Sequence, residues 1–294
     1  TWELVALSQE LADRYPDTEL GAQVLLRIGR EMAEQQDIEK LERVLGSFGR
    51  NFPSHPSAPA MLYRVAEAAL ERGKATVAKQ FHDDILELYP QSNFAIRVLQ
   101  LRGQQALVSK NVEQAILAFE KIQEQSRSPM QKVFARMRVV DAQLLSGDPD
   151  LQEAALEGLT ALRSELENRD SAYYESQNRD QTIEFIQNIR YRMGRVLVQK
   201  AGIEKTGDAR SAAAAELNSY LKDYPNTDQS PQVMFNLGRL YLQQGEFEKA
   251  TTTFESLSLT YPDSEEGRDA LFSLVKAALE EGQVEIARNA VDRM

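Results

Sequence analysis

Few side chains in this sequence have the chemistry of catalytic acids, catalytic bases or metal ligands. The two histidines are His55 and His82, and adjacent carboxylates occur at Asp83-Asp84, Glu265-Glu266 and Glu280-Glu281. A carboxylate pair works as general acid and base only in a desolvated cleft. The histidines do not have the spacing of a metal site, and no P-loop, GxGxxG, HExxH or GxSxG motif occurs. The sequence therefore predicts no catalytic, cofactor-binding or metal-binding residue, and a protein that is not an enzyme.

A different chemistry, that of recognition, recurs as an aromatic residue followed four residues later by a cation. The pairs are Tyr191/Arg195, Phe235/Arg239 and Phe272/Lys276. Aromatic and arginine side chains are the commonest anchors of protein interfaces, so the set is a candidate binding surface. An aromatic residue and a cation four apart on a helix can also stack on each other, and both interpretations stay open.

These pairs belong to a repeat of 37 residues that is punctuated by aromatic-proline dipeptides. Pro16, Pro53 and Pro90 are spaced by this period, and so are Pro225 and Pro262. A small residue follows the proline after 13 positions, a glycine after 20 and an alanine after 25. These three sets are Gly29, Ala66, Gly103 and Gly238; Gly73, Gly245 and Gly282; and Ala78, Ala115, Ala250 and Ala287.

Each mark of the repeat has a role in a pair of helices. An aromatic-proline dipeptide ends a helix because proline cannot continue it, and the glycine suits the left-handed residue that closes a helix. Small residues allow two helix backbones to approach closely. The dipeptides that follow are of capping types, whose side chains can accept from the free amides of the next helix: Asp17-Thr18, Gln91-Ser92, Asn226-Thr227 and Asp263-Ser264. One unit is therefore helix A, a turn and helix B, and the absence of period-two stretches predicts no sheet.

The marks divide the chain into six segments. Residues 1–15 form a lone helix B, 17–127 three repeats, 129–167 a degenerate repeat, 168–224 a long irregular repeat with a polar insertion, 226–261 a repeat and 263–294 a truncated one. The insertion, Asn168 to Asp180, is either a loop or an extension of helix A. Its Tyr173 and Tyr174 either contact a partner or fill a gap in the repeat spacing. Both ends fall inside repeats, so we expect a fragment of a longer protein.

The marks resemble the tetratricopeptide repeat, which has a small residue in helix A, an alanine in helix B, an aromatic residue four later (Phe119, Phe254) and a closing proline. The resemblance implies an all-α, right-handed superhelical solenoid of antiparallel helix pairs whose concave face is lined by helix A. The Tyr-Pro-Asp/Asn-Ser/Thr junction and the longer unit are similar to repeats of bacterial envelope proteins, such as the outer-membrane assembly lipoprotein BamD and the Tol-Pal-associated protein CpoB.

The family's geometry implies which side chains line the concave face. They lie 7, 10, 14 and 17 residues after the proline, which is one stripe of helix A. In the irregular repeat, Gly194 takes the place of the small residue. The residues predicted to bind a partner there are Arg30, Tyr63, Arg97, Gln104, Tyr191, Arg195, Phe235, Arg239, Phe272 and Lys276.

The composition limits the kinds of partner. A net charge of -11 argues against a nucleic-acid footprint and against adhesion to an anionic membrane. No apolar run has the roughly 20 residues that a membrane helix needs, so direct membrane insertion is not expected. The chain has no cysteine, which rules out disulfides and thiolate sites and suits an oxidising compartment.

These observations predict an interaction scaffold that needs no cofactor. It would bind another protein or a peptide through a concave face within a bacterial cell-envelope complex. We expect a periplasmic or outer-membrane-associated location, with the cytoplasm as the alternative. Two other functions stay open: a structural or regulatory arm of a larger enzyme, and self-association of the repeats.

Overall fold

The computed structural model describes residues 2–16, 18–35, 37–168, 179–292 and 294. In these residues every regular element is an α-helix, and most consecutive helices pack against each other. The all-helical fold of antiparallel helix pairs without a sheet is confirmed over this part of the chain. Tyr173 and Tyr174 of the polar insertion lie outside the described residues.

Two compact units divide the chain, Thr1–Lys132 and Val133–Met294, here called unit 1 and unit 2. Unit 1 contains α1 (Trp2–Arg14), α2 (Glu19–Glu34), α3 (Ile38–Asn51), α4 (Ala58–Glu71), α5 (Ala75–Leu88), α6 (Asn93–Val108) and α7 (Val112–Gln125). Unit 2 contains most of α8 (Pro129–Ser146), whose first residues belong to unit 1. It also contains α9 (Pro149–Glu167), α10 (Arg179–Glu204), α11 (Gly207–Asp223), α12 (Ser230–Gln243), α13 (Phe247–Thr260), α14 (Glu265–Glu280) and α15 (Val284–Val291).

The aromatic-proline dipeptides end the B helices as the sequence predicts. The backbone N–H of Tyr89 donates to the carbonyl of Ile85 at 3.0 Å, which completes the last turn of α5, and Pro90 follows. Phe52, Tyr224 and Tyr261 close α3, α11 and α13 by the same bond to the residue four before. Proline then prevents another helical turn because it has no N–H to donate.

The glycines between helices A and B adopt the left-handed conformation that the sequence predicts. The φ angles are 72° at Gly73, 75° at Gly245 and 72° at Gly282. Lys110 occupies the same place in its repeat and has a φ of 57° despite its side chain. The turn geometry is therefore common to these repeats, and glycine is the residue that adopts it without strain.

Three of the four predicted caps form. The hydroxyl oxygen of Ser264 accepts from the N–H of Gly267 at 2.9 Å, that of Ser92 from Ala95 at 3.1 Å, and that of Thr18 from Gly21 at 3.2 Å. The prediction for Thr227 is wrong, because α12 begins only at Ser230, where Pro231 supplies the first turn.

Close approach of the two helices of a pair explains the small residue of helix A. A Cβ added at Gly238 would lie 2.7 Å from the ring of Phe254, and one at Gly103 would lie 2.5 Å from Phe119. In the irregular repeat, Gly194 stands in the same relation to Leu217, at 2.5 Å. Each glycine thus makes room for a large, fully buried side chain of helix B, and these contacts form the core of the repeat.

Candidate functional site

The A helices of unit 1 enclose a groove of about 630 Å³. Helix α4 contacts α2 on one side and α6 on the other. Arg30 of α2, Tyr63 of α4 and Arg97 of α6 all line this space, which we call the helix-A groove. The structure therefore brings together three of the four side chains that the sequence singled out in this unit. Gln104 is exposed on α6 but is not among the residues that line the groove.

Aromatic rings form one wall of the helix-A groove. The rings of Tyr63 and Phe94 line it with their centroids 5.5 Å apart. Behind the Tyr63 ring, and outside the lining of this groove, the ring of His82 lies 6.0 Å away. The guanidinium of Arg97 lies 5.3 Å from the centre of the Phe94 ring. Burial, followed by the nearby carboxylate of Glu67, raises the pKa of the Tyr63 hydroxyl above its ordinary value. Tyr63 thus stays a neutral hydrogen-bonding group at physiological pH.

The charge of the helix-A groove is opposite to that of the chain. Three arginines line it, Arg30, Arg64 and Arg97, against one carboxylate, Glu67. Among the ion pairs of the described residues, none involves these three arginines. In a chain with a net charge of -11, such a groove is a local positive site, and it favours ligands with negative charge.

Two side chains of this groove were missed at the level of sequence. Arg64 lies outside the predicted stripe because it faces the groove from the flank of α4. Phe94 lies in the first turn of α6, before the stripe begins. A signal for Phe94 exists, since Phe94 and Arg97 are an aromatic–cation pair three residues apart, which also places them on one helix face.

In unit 2 the aromatic–cation pairs lie on three successive A helices. Tyr191 and Arg195 lie on α10, Phe235 and Arg239 on α12, and Phe272 and Lys276 on α14. Helix α12 contacts both α10 and α14. The three cations are exposed. We call this set of six residues the unit 2 stripe.

The three aromatic rings of the stripe differ in how deeply they are buried and in how closely they pack against the core. Tyr191 is half-buried, with its ring 6.3 Å from that of Tyr220, and the guanidinium of Arg195 stacks on it at 5.9 Å. Phe235 packs edge-on against Phe254 at 5.8 Å. Phe272, by contrast, is 60% exposed. Stacking on one helix therefore explains the spacing of Tyr191 and Arg195, whereas the ring of Phe272 remains available to a ligand.

A buried arginine near the stripe was also missed by sequence reasoning. Arg190 is 5% exposed and donates to Glu216 at 3.3 Å and to Ser219 at 2.6 Å, and it also pairs with Asp223. Its guanidinium also lies 5.7 Å from the Tyr224 ring. These contacts join α10 to α11, so Arg190 holds the helix that carries Tyr191 and Arg195. Partners 26 to 33 residues apart leave no local pattern in the sequence.

Within the described residues, no group of three or more acidic or histidine side chains is placed to hold a metal ion. None of the helices there combines the length and apolar character of a membrane span.

Part of the chain matches the model of a known repeat family. Residues 207–271, which include α11, α12 and α13, match the family model described as Tetratricopeptide repeat. No curated protein sequence matches the chain.

Solved structures that match the chain include a tetratricopeptide repeat protein from Parabacteroides merdae, which is 14% identical. Its TM-score is 0.48, and the match covers 92% of this chain and 91% of that protein. A Rap protein complexed with Competence and Sporulation Factor is 14% identical, with a TM-score of 0.42 and coverage of 92% and 75%. PilF of Pseudomonas aeruginosa is 14% identical, with a TM-score of 0.41 and coverage of 84% and 95%.

The fold and the family match define the class of this protein. It is an all-helical array of helix pairs that carries tetratricopeptide-repeat sequence in residues 207–271. Such repeats generally act as non-catalytic scaffolds for protein–protein interaction.

Proposed function

We propose that this chain is a protein–protein interaction scaffold that holds a partner peptide against its A helices. The observation that supports this most directly is the helix-A groove, where Arg30, Tyr63 and Arg97 come from three successive A helices, α2, α4 and α6, to line one space. Arginine and aromatic side chains supply most of the binding energy at protein interfaces. A surface that gathers them, rather than scattering them, is suited to bind a segment of another protein.

The chemistry of the groove specifies the kind of segment. Among the described residues, no salt bridge involves its three arginines. A guanidinium group can bind a carboxylate through two parallel hydrogen bonds. The rings of Tyr63 and Phe94 offer apolar contact beside these charges. We therefore expect a peptide that carries both acidic and apolar side chains. The unit 2 stripe provides a second surface of the same composition.

The test is capture of a partner by the whole chain with in-cell crosslinking. Arg30→Glu combined with Arg97→Glu is expected to weaken capture about tenfold or more, since removing a charge pair from an interface costs several kcal/mol. Arg27→Glu combined with Arg127→Glu makes the same change of charge at two exposed sites that do not line the groove. Equal loss of capture in both double variants would show a general effect of charge and would contradict the groove.

We further propose that the scaffold works in a bacterial cell envelope, at the periplasm or the outer membrane. Support comes from the Tyr-Pro-Asp/Asn-Ser/Thr junctions and from the absence of cysteine. The full reading frame tests this: a signal peptide or lipobox encoded upstream of Thr1 would support it, whereas a cytosolic start codon just upstream would contradict it. Fractionation of the native cells gives an independent measurement.

A further inference from the structure

Unit 1 has a second groove, on a different face of α6. It has a volume of about 670 Å³ and lies between α5 and α7, with α6 beneath. Helix α6 lines it with Arg102, Gln105 and Ala106, whereas Phe94 and Arg97 of the same helix line the helix-A groove. We call this second space the α5–α7 groove. It uses none of the residues on which the proposed function depends.

More than half of the residues that line the α5–α7 groove are leucines and alanines. Leucines and alanines of all three helices cover its floor and walls. Leu70 is 41% exposed and Leu117 is 53% exposed, so large apolar side chains meet solvent at its edges. Exposed leucines gathered around one concave surface favour a partner that removes them from water.

The charge of this groove is also the reverse of the charge of the chain. Lys79, Arg102 and Lys121 line it, and no aspartate or glutamate does, although the chain as a whole carries a net charge of -11. Asp83 accepts from Lys79 at 2.8 Å and from Arg102 at 2.6 Å, which fixes these two cations at the edge. No salt bridge of the described residues involves Lys121.

The walls of the groove favour a helix over an extended peptide. Both walls are α-helices, whose backbone N–H and C=O groups bond within the helix and cannot pair with an added strand. An extended peptide could pair its polar backbone only with a few side chains of the lining, such as Gln105 and Gln114, and each group left unpaired against the leucines would cost a few kcal/mol. A helix satisfies its own backbone. The wall residues Ala75 to Leu86 of α5 span about 17 Å, enough for three turns of a bound helix.

We propose that the α5–α7 groove docks an amphipathic helix of a partner protein whose apolar stripe is flanked by acidic residues. The stripe would cover Leu117 and the leucines of the floor, and the acidic residues would meet Lys79, Arg102 and Lys121. The site is separate from the helix-A groove, so one unit can hold two segments of partner proteins at once.

A displayed library of amphipathic helices, in which the apolar stripe and the charges beside it vary, tests the proposal with the whole chain as bait. The wild-type chain is expected to enrich helices with acidic flanks. Lys121→Glu and Leu117→Glu are expected to reduce binding of the selected peptides about tenfold. Both side chains are exposed, so the fold should persist, and circular dichroism checks this. Lysine-flanked helices are expected to bind the Lys121→Glu variant better than the acidic ones.

The Arg97→Glu variant, altered in the helix-A groove, is the matched control and is expected to retain these peptides. Loss of binding in this control would assign the peptides to the helix-A groove and overturn the proposal. The proposal would also be overturned if the selection yields no peptide, or if Lys121→Glu binds the selected peptides as well as the wild-type chain does. It would likewise fail if the chain self-associates and Lys121→Glu abolishes this, or if the same residues adsorb the chain to anionic vesicles. Failure of this selection leaves the double variant Arg30→Glu with Arg97→Glu as the separate test of the helix-A groove.

Discussion

Arg192 donates two parallel hydrogen bonds to the carboxylate of Asp141, from Nε to Oδ1 at 2.9 Å and from Nη2 to Oδ2 at 3.0 Å. Arg138 donates to the same carboxylate at 2.9 Å. The side chains of Asp141 and Arg192 are only 15% and 16% exposed. Asp141 of α8 is therefore the shared acceptor of an arginine on its own helix, Arg138, and of one on α10, Arg192, and the contact with Arg192 joins α8 to α10.

Asp141→Asn is expected to lower the stability of unit 2 by about 2 kcal/mol. The amide keeps the shape of the carboxylate but removes the counter-charge of the largely buried Arg192 guanidinium, and such hydrogen bonds to charged groups are worth about 1.5–3 kcal/mol. Urea unfolding followed by circular dichroism measures the change. As a control, Glu153→Gln removes the ion pair between Glu153 and Lys200. The Glu153 side chain is 56% exposed, so this loss should cost less than about 1 kcal/mol. Equal losses in the two variants would contradict this account of Asp141.

Two glycine-to-alanine changes inside helices are expected to have opposite effects. Gly238→Ala places a Cβ 2.7 Å from the ring of Phe254, which is fully buried, so overpacking should cost about 1–3 kcal/mol. Gly158→Ala in α9 meets nothing within 4 Å, so it should gain up to about 1 kcal/mol from helix propensity. The urea midpoint measures both.

Repacking the partner ring separates steric overlap from other causes. In the Gly238→Ala background, Phe254→Leu should cost less than it does alone, because the two residues are in contact and their effects are not additive. Additive effects of the two substitutions would contradict the close approach of α12 and α13.

The sequence predicts most of the helices because their signals are local. Aromatic-proline stops, left-handed glycines and the small residues facing Phe119 and Phe254 each act within one turn or one helix pair. The start of α12 is an exception, because Asn226-Thr227 and Ser230-Pro231 are competing start signals only a few residues apart, and the helix begins at the second, with Pro231 in its first turn.

The candidate site was predictable only in part. Arg30, Tyr63 and Arg97 follow from the repeat phase, because a constant phase places equivalent residues on one face. The contributions of Arg64 to the helix-A groove and of Arg190 beneath Tyr191 depend on side-chain directions and on partners in other helices. Such contacts have no fixed spacing, so they become visible only when the helices are packed.

The unit 2 stripe is expected to contribute to partner capture through its cations. Arg195→Glu combined with Arg239→Glu should weaken capture of a crosslinked partner about tenfold, since charge reversal replaces attraction of an acidic segment by repulsion. Both side chains are exposed, so the helical content measured by circular dichroism should not change.

A matched variant makes the same change of charge away from the stripe. Lys205→Glu combined with Arg288→Glu alters two exposed cations outside the set and should leave capture unchanged. Unaltered capture in the Arg195/Arg239 variant would count against this face as a contact surface.

The buried ring of His82 should make unit 1 sensitive to mild acid. Burial, and next the positive charge of Arg102, lower the pKa of His82 below its ordinary value, while Asp83 acts in the opposite direction. Tyr63 faces the ring as a neutral group, and Lys79 and Lys121 line the same groove as cations. Because the neutral imidazole is the form that the folded state accepts, protonation favours unfolding.

The sign of the pH dependence follows from the lowered pKa. Above about pH 6.5, the pKa of an unfolded histidine, both states are neutral at this residue and the full stability is present. As the pH falls below that value the unfolded state binds the proton first, and stability declines until the folded pKa is passed. Aspartates and glutamates with ordinary pKa values remain ionised over most of this range, so the histidine contribution can be observed between about pH 7.5 and about pH 5.5.

His82→Leu tests this dependence, because Leu45 fills the equivalent place against Gly29 in the first repeat. The variant is expected to lose the decline in urea midpoint between about pH 7.5 and about pH 5.5 that the wild-type chain shows. His55→Gln removes the only other histidine and keeps His82, so a slope that persists there belongs to His82. An unchanged slope in His82→Leu would show that the proton is taken up elsewhere in the chain.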